Sequence, residues 1–547
     1  MSLALSGVAV AQDFPAIIPL STLDGTTGFQ LNGVETYDYS GISVSTAGDV
    51  NGDGIDDLLI GAWSAAPNGE DRTGSAYVVF GQRSAFPAML ELAGLNGING
   101  FRLEGVADDD YAGLAVSAAG DVNDDGIDDL LIGAPAADPN GVDDAGSSYV
   151  VFGRNVAAEG NFQSTIALSS LNGTDGFRVV GAASGDRSGG AVSAAGDING
   201  DGLDDVLIGA YRADPNGSNS GNSYVVFGRD VAAVGNFPST LALNSLNGIS
   251  GFRLAGVAEG DYSGRSVSAA GDINADGVDD LIIGAFESDP NDLESGSSYV
   301  VFGRDVAAVG SFPSTLALSS LNGISGFRLD GISGFRLDGE GFRGYSGHSV
   351  SAAGDVNGDG IDDLIIGASD ADSNGNGSGS SYLVFGRDAA SVGNFPSVIA
   401  LSSLNGTTGF RLDGQAVDDR SGISVSGAGD INGDGVDDLI VGASYADPNG
   451  ANSGSIYVVF GRDTSAVGNF PSTLALSSLN GSTGFRLDGE EILDQAGRSV
   501  SAAGDINGDG ADDLVIGAYA ANSNGNDSGT TYVVFGLSDD LFSDSFE

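Results

Sequence analysis

The chain has 547 residues, of which 41% are apolar, 8% are aromatic and 90 are glycine. This composition supplies a packed core and many turns. The formal net charge is −55 and all 20 basic residues are arginine, which argues against a basic surface for nucleic acid. The chain has no cysteine, so disulfides and thiol chemistry are excluded.

An apolar run over residues 3–11 ends in Ala-Val-Ala before Gln12. Small residues behind a short apolar region are typical of the cleavage site of a secretory signal. We therefore expect residues 1–11 to be the remnant of a signal peptide, and the protein to be secreted or held at the cell surface. No apolar stretch approaches the ~20 residues that a transmembrane helix needs.

The stretch Asp49-Val-Asn-Gly-Asp-Gly-Ile-Asp-Asp57 recurs six times with small changes, at Asp121, Asp197, Asp272, Asp355, Asp430 and Asp505. Each copy is followed by an apolar run such as Leu-Leu-Ile-Gly-Ala. One interval is longer than the others because Gly323–Asp330 is duplicated in tandem as Gly331–Asp338. So regular a period indicates a repeat architecture and not a series of unrelated domains.

Each repeat unit contains four runs typical of β-strands. In the second unit they are 115–120, which is rich in small residues, 129–134, 148–153 and 176–181. The second run is continuously apolar, as expected for a strand buried on both faces. Four strands in each of seven units predict an all-β fold, a seven-bladed β-propeller of four-stranded antiparallel blades with the small residues beside the central channel.

We predict one propeller over residues 12–537, with blades at 41–105, 113–181, 189–256, 264–339, 347–414, 422–489 and 497–536. A fourth-strand pattern at 28–33 precedes the first blade, and the last blade has no fourth strand of its own. Strand 28–33 is therefore expected to complete the last blade and close the ring.

The connections from third to fourth strands, such as 229–250, are long for a compact domain. Their apolar residues should fold back over the blade edges. Residues 538–547 are expected to form an acidic tail.

The repeated loop has oxygen-bearing side chains at positions 1, 3, 5 and 9 and glycine at position 6, counting Asp49 as position 1 and Asp57 as position 9. This pattern suits a hard cation such as calcium, which takes about six to eight oxygen ligands. We predict about seven calcium ions, one in each loop, with position 7 contributing its backbone carbonyl. The predicted ligands are Asp49, Asn51, Asp53, Ile55, Asp57, Asp121, Asn123, Asp125, Ile127, Asp129, Asp197, Asn199, Asp201, Leu203, Asp205, Asp272, Asn274, Asp276, Val278, Asp280, Asp355, Asn357, Asp359, Ile361, Asp363, Asp430, Asn432, Asp434, Val436, Asp438, Asp505, Asn507, Asp509, Ala511 and Asp513.

Position 12 distinguishes this loop from an EF-hand, in which a bidentate Glu occupies that position. Here position 12 is an apolar strand residue, such as Ile60 in the first copy. The last carboxylate must then come from position 9. The aspartate at position 8 is expected to support the site from outside or to face solvent. The alternative for the whole loop is a tight Asx-turn without metal.

The Gly-Phe-x-Leu-x-Gly, Ser-Val-Ser-x-x-Gly-Asp-x-Asn-Gly-Asp and Asp-Leu-Leu-Ile-Gly-Ala elements resemble the FG-GAP repeats of integrin α-subunit propellers and their bacterial relatives. The resemblance covers residues 28–536. It implies a seven-bladed propeller with calcium in the loop between the first and second strands. This chain departs from integrins in carrying the calcium loop in all seven units and in its long connections.

In such a blade the calcium loops and the long connections emerge on one face of the propeller, here called the loop face. The connections from second to third strands and from fourth to first strands emerge on the opposite face, here called the ligand face. Aromatic and arginine residues recur in these connections, as expected of a binding surface. The alternative is that the rings simply cap each blade's core. The candidate ligand-binding residues are Trp63, Tyr111, Arg187, Tyr211, Tyr262, Phe286, Tyr345, Arg420, Tyr445 and Tyr519.

The residue inventory argues against an enzyme, because a Ser-His-Asp triad would have to use His348, the single histidine. Arg265 and Arg498 occupy the same repeat position as His348, which indicates a surface variant. We expect a non-catalytic adhesion module that binds an extracellular protein or glycan. Two alternatives stay open. One is a self-associating structural subunit of a calcium-dependent extracellular assembly or filament, and the other is a polysaccharide-active enzyme, because carboxylates are abundant.

Overall fold

A computed structural model describes residues 14–67, 69, 71–330 and 344–537. The predicted signal remnant, the second copy of the duplicated segment and the predicted acidic tail lie outside these residues. The strands of the described residues form seven sheets of five strands each. The prediction of a seven-bladed all-β propeller is therefore confirmed.

The innermost strands lie side by side around the central channel and are rich in Ala, Ser and Gly, because little space is left there. They are Val44–Gly48, Ala115–Gly120, Ala191–Gly196, Ser266–Gly271, Ser346–Gly354, Ser424–Gly429 and Ser499–Gly504. The second strands are buried along their whole length, as their apolar sequence requires. They are Asp57–Ala62, Asp129–Ala134, Asp205–Ala210, Asp280–Ala285, Asp363–Ala368, Asp438–Ala443 and Asp513–Ala518.

The third and fourth strands continue each antiparallel sheet outward. The third strands are Ser75–Val79, Ser147–Val151, Asn222–Val226, Ser297–Val301, Ser380–Val384, Ser455–Val459 and Thr530–Val534. The fourth strands are Gly100–Glu104, Gly176–Val180, Gly251–Ala255, Gly326–Asp330, Gly409–Asp413, Gly484–Asp488 and, in the last blade, Gly28–Asn32. The first copy of the duplicated segment supplies Gly326–Asp330, so the extra residues follow this strand.

A fifth strand of three residues, absent from the predicted four-stranded blade, lies at the outer edge of each sheet. It comes from the long connection of the next unit: Thr165–Ala167 of the second unit pairs in parallel with Gly100–Glu104 of the first blade. The other outer strands are Ile17–Pro19, Met89–Glu91, Thr240–Ala242, Thr315–Ala317, Val398–Ala400 and Thr473–Ala475. Each blade is thus hydrogen-bonded to a segment of its neighbour.

Short helical turns flank these outer strands. Five single α-helical turns precede them in the described chain, at Val156–Glu159, Val231–Val234, Val306–Val309, Ala389–Val392 and Thr464–Val467. Each begins after a capping Asn or Asp; the Asp230 side chain, for example, accepts a hydrogen bond from the backbone N–H of Ala233. 3₁₀ turns follow the outer strands at Leu20–Thr22, Leu92–Gly94, Leu168–Ser170, Leu243–Ser245, Leu318–Ser320, Leu401–Ser403 and Leu476–Ser478, and a further one lies at Pro139–Gly141.

The chain start is built into the last two blades. Gly28–Asn32 pairs antiparallel with Thr530–Val534, and Ile17–Pro19 pairs in parallel with Gly484–Asp488. The hydrophobic core lies between blades, and each cluster joins side chains of two neighbours. One of them packs Phe29 and Val515 of the last blade with Leu58 and Ile60 of the first. Neighbouring blades therefore share their buried apolar surface.

Candidate calcium loops and ligand face

The position-1 carboxylate closes each repeated loop. Asp49 Oδ1 accepts hydrogen bonds from the backbone N–H groups of Gly52 and Asp53, at 2.7 and 3.0 Å. Asp49 Oδ2 accepts one from Gly54 at 2.7 Å. The bonds from positions 5 and 6 recur in the other six loops. Position 6 has a left-handed backbone, with φ +82° at Gly54, which explains the glycine.

Positions 3 and 9 meet at the buried end of the loop. Asn51 Nδ2 donates to both carboxylate oxygens of Asp57 at 3.1 Å, and the backbone N–H of Gly81 donates to Asp57 Oδ1 at 2.9 Å. Burial raises the pKa of Asp57 well above its usual range, and the neighbouring Asp53 and Asp49 carboxylates raise it further. The other six position-9 aspartates are also fully buried, with pKa values raised by the same cause.

Within the described residues, no three or more His, Cys, Asp or Glu side chains stand together as a formed metal site. The hydrogen bonds show why. Both Asp49 oxygens accept backbone N–H groups, and the amide nitrogen of Asn51, not its oxygen, faces Asp57. Asp49 therefore closes the loop as an Asx-turn.

The same residues nevertheless fit a cation. The amide oxygens of Asn51 and Asn432 are buried and have no hydrogen-bond partner among the residues that the structure describes. None of the ion pairs formed by described residues involves a position-9 aspartate. A buried carboxylate beside an unsatisfied amide oxygen is costly unless a proton or a cation accompanies it. The loop thus has the oxygen donors, and the uncompensated negative charge, that a hard cation requires.

The aspartate at position 8 has a partner that the sequence did not reveal. Asp128 Oδ2 accepts a hydrogen bond from the backbone N–H of Asp49, the first residue of the preceding blade's loop, at 2.8 Å. The contact requires glycine before the loop, because a Cβ on Gly48 would lie 2.3 Å from this oxygen. Equivalent bonds of 2.8 to 2.9 Å join Asp204 to Asp121, Asp279 to Asp197, Asp362 to Asp272, Asp437 to Asp355, Asp512 to Asp430 and Asp56 to Asp505.

The next unit's long connection also holds each loop. The backbone N–H groups of Arg154 and Val156 donate to the carbonyls of Val50 and Asn51, both at 3.0 Å. The Arg154 guanidinium lies 4.6 Å from the ring centroid of Phe162, which stacks on Phe101 of the preceding blade at 4.4 Å. The loop, the blade edge and the connection are therefore one packed unit spanning two blades.

On the ligand face, all ten candidate ligand-binding residues are half-buried. Trp63 stacks on Tyr39 at a centroid distance of 5.6 Å and meets Tyr111 edge-on at 5.0 Å. Tyr519 extends this first arc to the last blade, 5.9 Å from Tyr39. A second arc runs through Tyr211, Tyr262, Phe286 and Tyr345, with spacings of 6.4, 6.0 and 5.6 Å.

The two arginines of this set lie beside the rings. Arg187 pairs with Asp144 at 3.1 Å, and Arg420 lies 4.8 Å from the centroid of the Tyr445 ring. Sequence reasoning left Tyr37 out of the candidates, although it is 50% exposed and 6.5 Å from Tyr39. The structure therefore brings most of the predicted rings into two arcs, with part of each ring open to solvent.

The corner residue of each blade has an unusual backbone. It adopts a left-handed conformation with φ between 49° and 60° although it is not glycine, at Tyr39, Tyr111, Arg187, Tyr262, Tyr345, Arg420 and Gln495. A bulky residue in this region costs of order 1–3 kcal/mol and is held there by its surroundings. In every corner except that of Tyr345, which follows Gly344, a buried aspartate precedes this residue and helps to hold the corner: Asp110 Oδ2, for instance, accepts a hydrogen bond from the Ala107 N–H at 3.1 Å.

His348 is not the surface variant that its repeat position suggests. Its ring meets Phe286 edge-on at 5.7 Å, and its Nδ1 is buried and has no hydrogen-bond partner in the described part of the chain. Together with Arg265 and Arg498 it lines a cavity of about 330 Å³ at the ligand-face end of the central channel. The sequence did contain a sign of this arrangement, because each of the three residues directly precedes a Ser-Val pair of an innermost strand. Side chains at this repeat position point into the channel.

Comparison with known families agrees with this architecture. The FG-GAP repeat matches seven segments, which together make up more than half of the chain: residues 40–79, 112–151, 179–226, 263–301, 346–384, 421–459 and 496–534. This chain belongs to the FG-GAP repeat family. Each matched segment includes the candidate calcium loop of its blade and ends at the last residue of the third strand.

Among curated proteins, this FG-GAP propeller is similar to integrin α-subunits. It is 31% identical to integrin alpha pat-2 of Caenorhabditis elegans over 262 residues, 47% of this chain and 19% of that protein. It is 28% identical to integrin alpha-PS2 of Drosophila melanogaster over 291 residues, 52% of this chain and 18% of that protein. The match to human integrin alpha-IIb is 33% over 190 residues, 32% of this chain and 15% of that protein. The chain thus corresponds to less than a fifth of each relative.

No helix in the described part of the chain is long and apolar enough to span a bilayer.

Proposed function

We propose that this FG-GAP propeller is a calcium-binding, non-catalytic module, secreted or at the cell surface, that binds an extracellular protein or glycan through its ligand face. One observation carries the proposal: half-buried rings form arcs on the face opposite the loops. Aromatic side chains whose rings are partly open supply most of the energy in many interfaces. The similarity to integrin α-subunits supports a binding role.

In this proposal calcium is bound by positions 1, 3, 5 and 9 of each loop, with the carbonyl of position 7. The ion supplies positive charge to carboxylates that otherwise repel each other. Each loop contacts the next blade through its backbone. Once their negative charge is neutralised, the loop residues therefore hold neighbouring blades together and maintain the arrangement of the ligand face.

The test is a binding screen of calcium-loaded protein against immobilised polysaccharides and extracellular matrix proteins, comparing wild type with Trp63→Ala/Tyr211→Ala. The matched control is Ile98→Ala/Ile249→Ala, which removes side chains that are 72% and 78% exposed on the loop face. We expect the double aromatic variant to lose at least tenfold in affinity and the control to bind as wild type. Equal binding by the aromatic variant contradicts the proposal, as does assembly into polymers in calcium without any binding.

A further inference from the structure

The ligand-face mouth of the central channel concentrates positive charge in an acidic protein. It is lined by the seven residues that share one repeat position, at or near the start of each innermost strand: Ile42, Leu114, Gly190, Arg265, His348, Ile423 and Arg498. Two of the chain's 20 arginines and its single histidine thus face one cavity of about 330 Å³. Among the described residues that line this cavity none is Asp or Glu, although the chain has 75 of them.

The two arginines lack the partners that other arginines on this face have. Arg187 and Arg420 lie within 4 Å of an aspartate, whereas neither Arg265 nor Arg498 forms an ion pair with any described residue. Both side chains are half-buried. Arg265 lies 5.5 Å from the centroid of Tyr211, which also lines the cavity. Two partly desolvated guanidiniums without a counter-charge are the donors that a carboxylate, sulfate or phosphate group prefers.

His348 completes the cluster. Its buried Nδ1 has no hydrogen-bond partner among the described residues, so this nitrogen is free to bind a group that enters the cavity. Burial and the charges of Arg265, Arg498 and Arg420 lower the pKa of His348 to about 3, so the imidazole is neutral at pH 7. A negative charge between the arginines offsets their effect and favours the imidazolium.

We propose that the mouth of the central channel is an oxyanion-binding site formed by Arg265, Arg498 and His348. Its ligand is a carboxylate, sulfate or phosphate group, as a free ion or as the acidic end of a larger ligand. Tyr211 of the second arc also lines this cavity, but the donors to the anion are the two guanidiniums and the imidazole, and no macromolecular partner is needed. Arg265→Gln/Arg498→Gln therefore tests this site, whereas Trp63→Ala/Tyr211→Ala tests the adhesion function proposed above.

The site is tested by calorimetric titration of wild-type protein, in excess calcium, with sulfate, phosphate, acetate and glucuronate, and with uncharged glucose as the control ligand. Arg265→Gln/Arg498→Gln should weaken anion binding at least tenfold. The matched control is Arg212→Gln, whose guanidinium lies 5.6 Å from the same Tyr211 ring but outside the cavity lining; it should bind as wild type. Binding of glucuronate but not of inorganic anions identifies an acidic sugar as the source. Equal binding by wild type and the double variant overturns the site.

A second measurement uses the wild-type protein and needs no variant. The chain has one histidine, so NMR of the imidazole gives a single titration curve. The pKa of His348 should lie below its ordinary value in the free protein and rise when sulfate or glucuronate is added. A pKa that does not respond to saturating anion contradicts the site.

Discussion

Adjacent aspartates at positions 8 and 9 of one loop serve different blades. Asp129 is buried beneath its own loop and bonded to Asn123, whereas Asp128 reaches the preceding blade and accepts the N–H of Asp49. Strand alternation sends neighbouring side chains in opposite directions. The pair Asp-Asp therefore joins the candidate ligand set of one loop to the first residue of another.

Removal of the inter-blade acceptor should destabilise the ring. Asp128→Ala is expected to cost about 1.5–3 kcal/mol, because it leaves the N–H of Asp49 without a charged acceptor. Asp128→Asn keeps an acceptor oxygen and removes charge that repels Asp49, so its effect should be small. Urea denaturation measures both, with the exposed Asp143→Ala as the control. If Asp128→Ala costs no more than this control, the bond does not hold neighbouring blades together.

The buried corner aspartates give the metal-free protein an unusual pH dependence. Burial raises the pKa values of Asp38, Asp110, Asp186 and Asp494 from 3.8 to about 6. The folded protein then binds more protons than the unfolded chain between these values. The stabilisation is complete below 3.8 and is lost as the pH rises through about 6.

In chelator, the free energy of unfolding should therefore fall from pH 4.5 to pH 7. Urea denaturation across this range measures the slope, and changing the four corner aspartates to Asn together should reduce it, while the buried position-9 aspartates, whose pKa values are also raised, keep the remainder. The corners lie on the face opposite the calcium loops, so the change leaves the loops intact. Stability that increases with pH in chelator would be incompatible with this account.

At the scale of elements, the long connection belongs to two blades. Its outer strand and its phenylalanine pack on the preceding blade, while its ends are fixed in its own blade. The sequence predicted that these apolar residues cover a blade edge. It did not indicate which edge, because that depends on the angle between neighbouring blades and not on the pattern of any single unit.

Replacing Phe237 tests this element. The ring is buried, stacks on Phe177 of the preceding blade at 4.2 Å and lies 4.3 Å from the Arg229 guanidinium. Phe237→Ala should cost about 3–5 kcal/mol. Hydrogen exchange should increase at Gly176–Val180 of the preceding blade, although Phe237 belongs to the next unit. An increase confined to its own unit contradicts the two-blade connection, and the exposed Val234→Ala is the control.

The difference between contacts within one unit and contacts between units explains which parts of the site could be predicted from the sequence. The loop, the buried strand after it and the small innermost residues are local patterns, and each lies where its pattern indicates. The sequence patterns did not predict contacts between units, such as those of Asp128 with Asp49 and of Phe237 with Phe177. The convergence of Arg265, His348 and Arg498 is also a product of the ring, because they are far apart in the chain.

At the scale of the whole molecule, repulsion between carboxylates is the main electrostatic cost of folding. The net charge is −55, and none of the seven fully buried position-9 carboxylates forms an ion pair with a described residue. Self-repulsion of this kind destabilises a compact state. In the proposed function, calcium bound in the loops would offset this repulsion at the buried position-9 carboxylates. This is the central claim about the molecule.

The most direct test is calcium titration of chelator-stripped protein by calorimetry, combined with thermal unfolding in calcium and in chelator. Each site at a calcium concentration of 100 times its Kd adds about 2.7 kcal/mol to the folded state. The account predicts about seven ions per chain, one per loop, and a much lower melting temperature in chelator. Absence of calcium binding, with the same melting curve in both conditions, would contradict it.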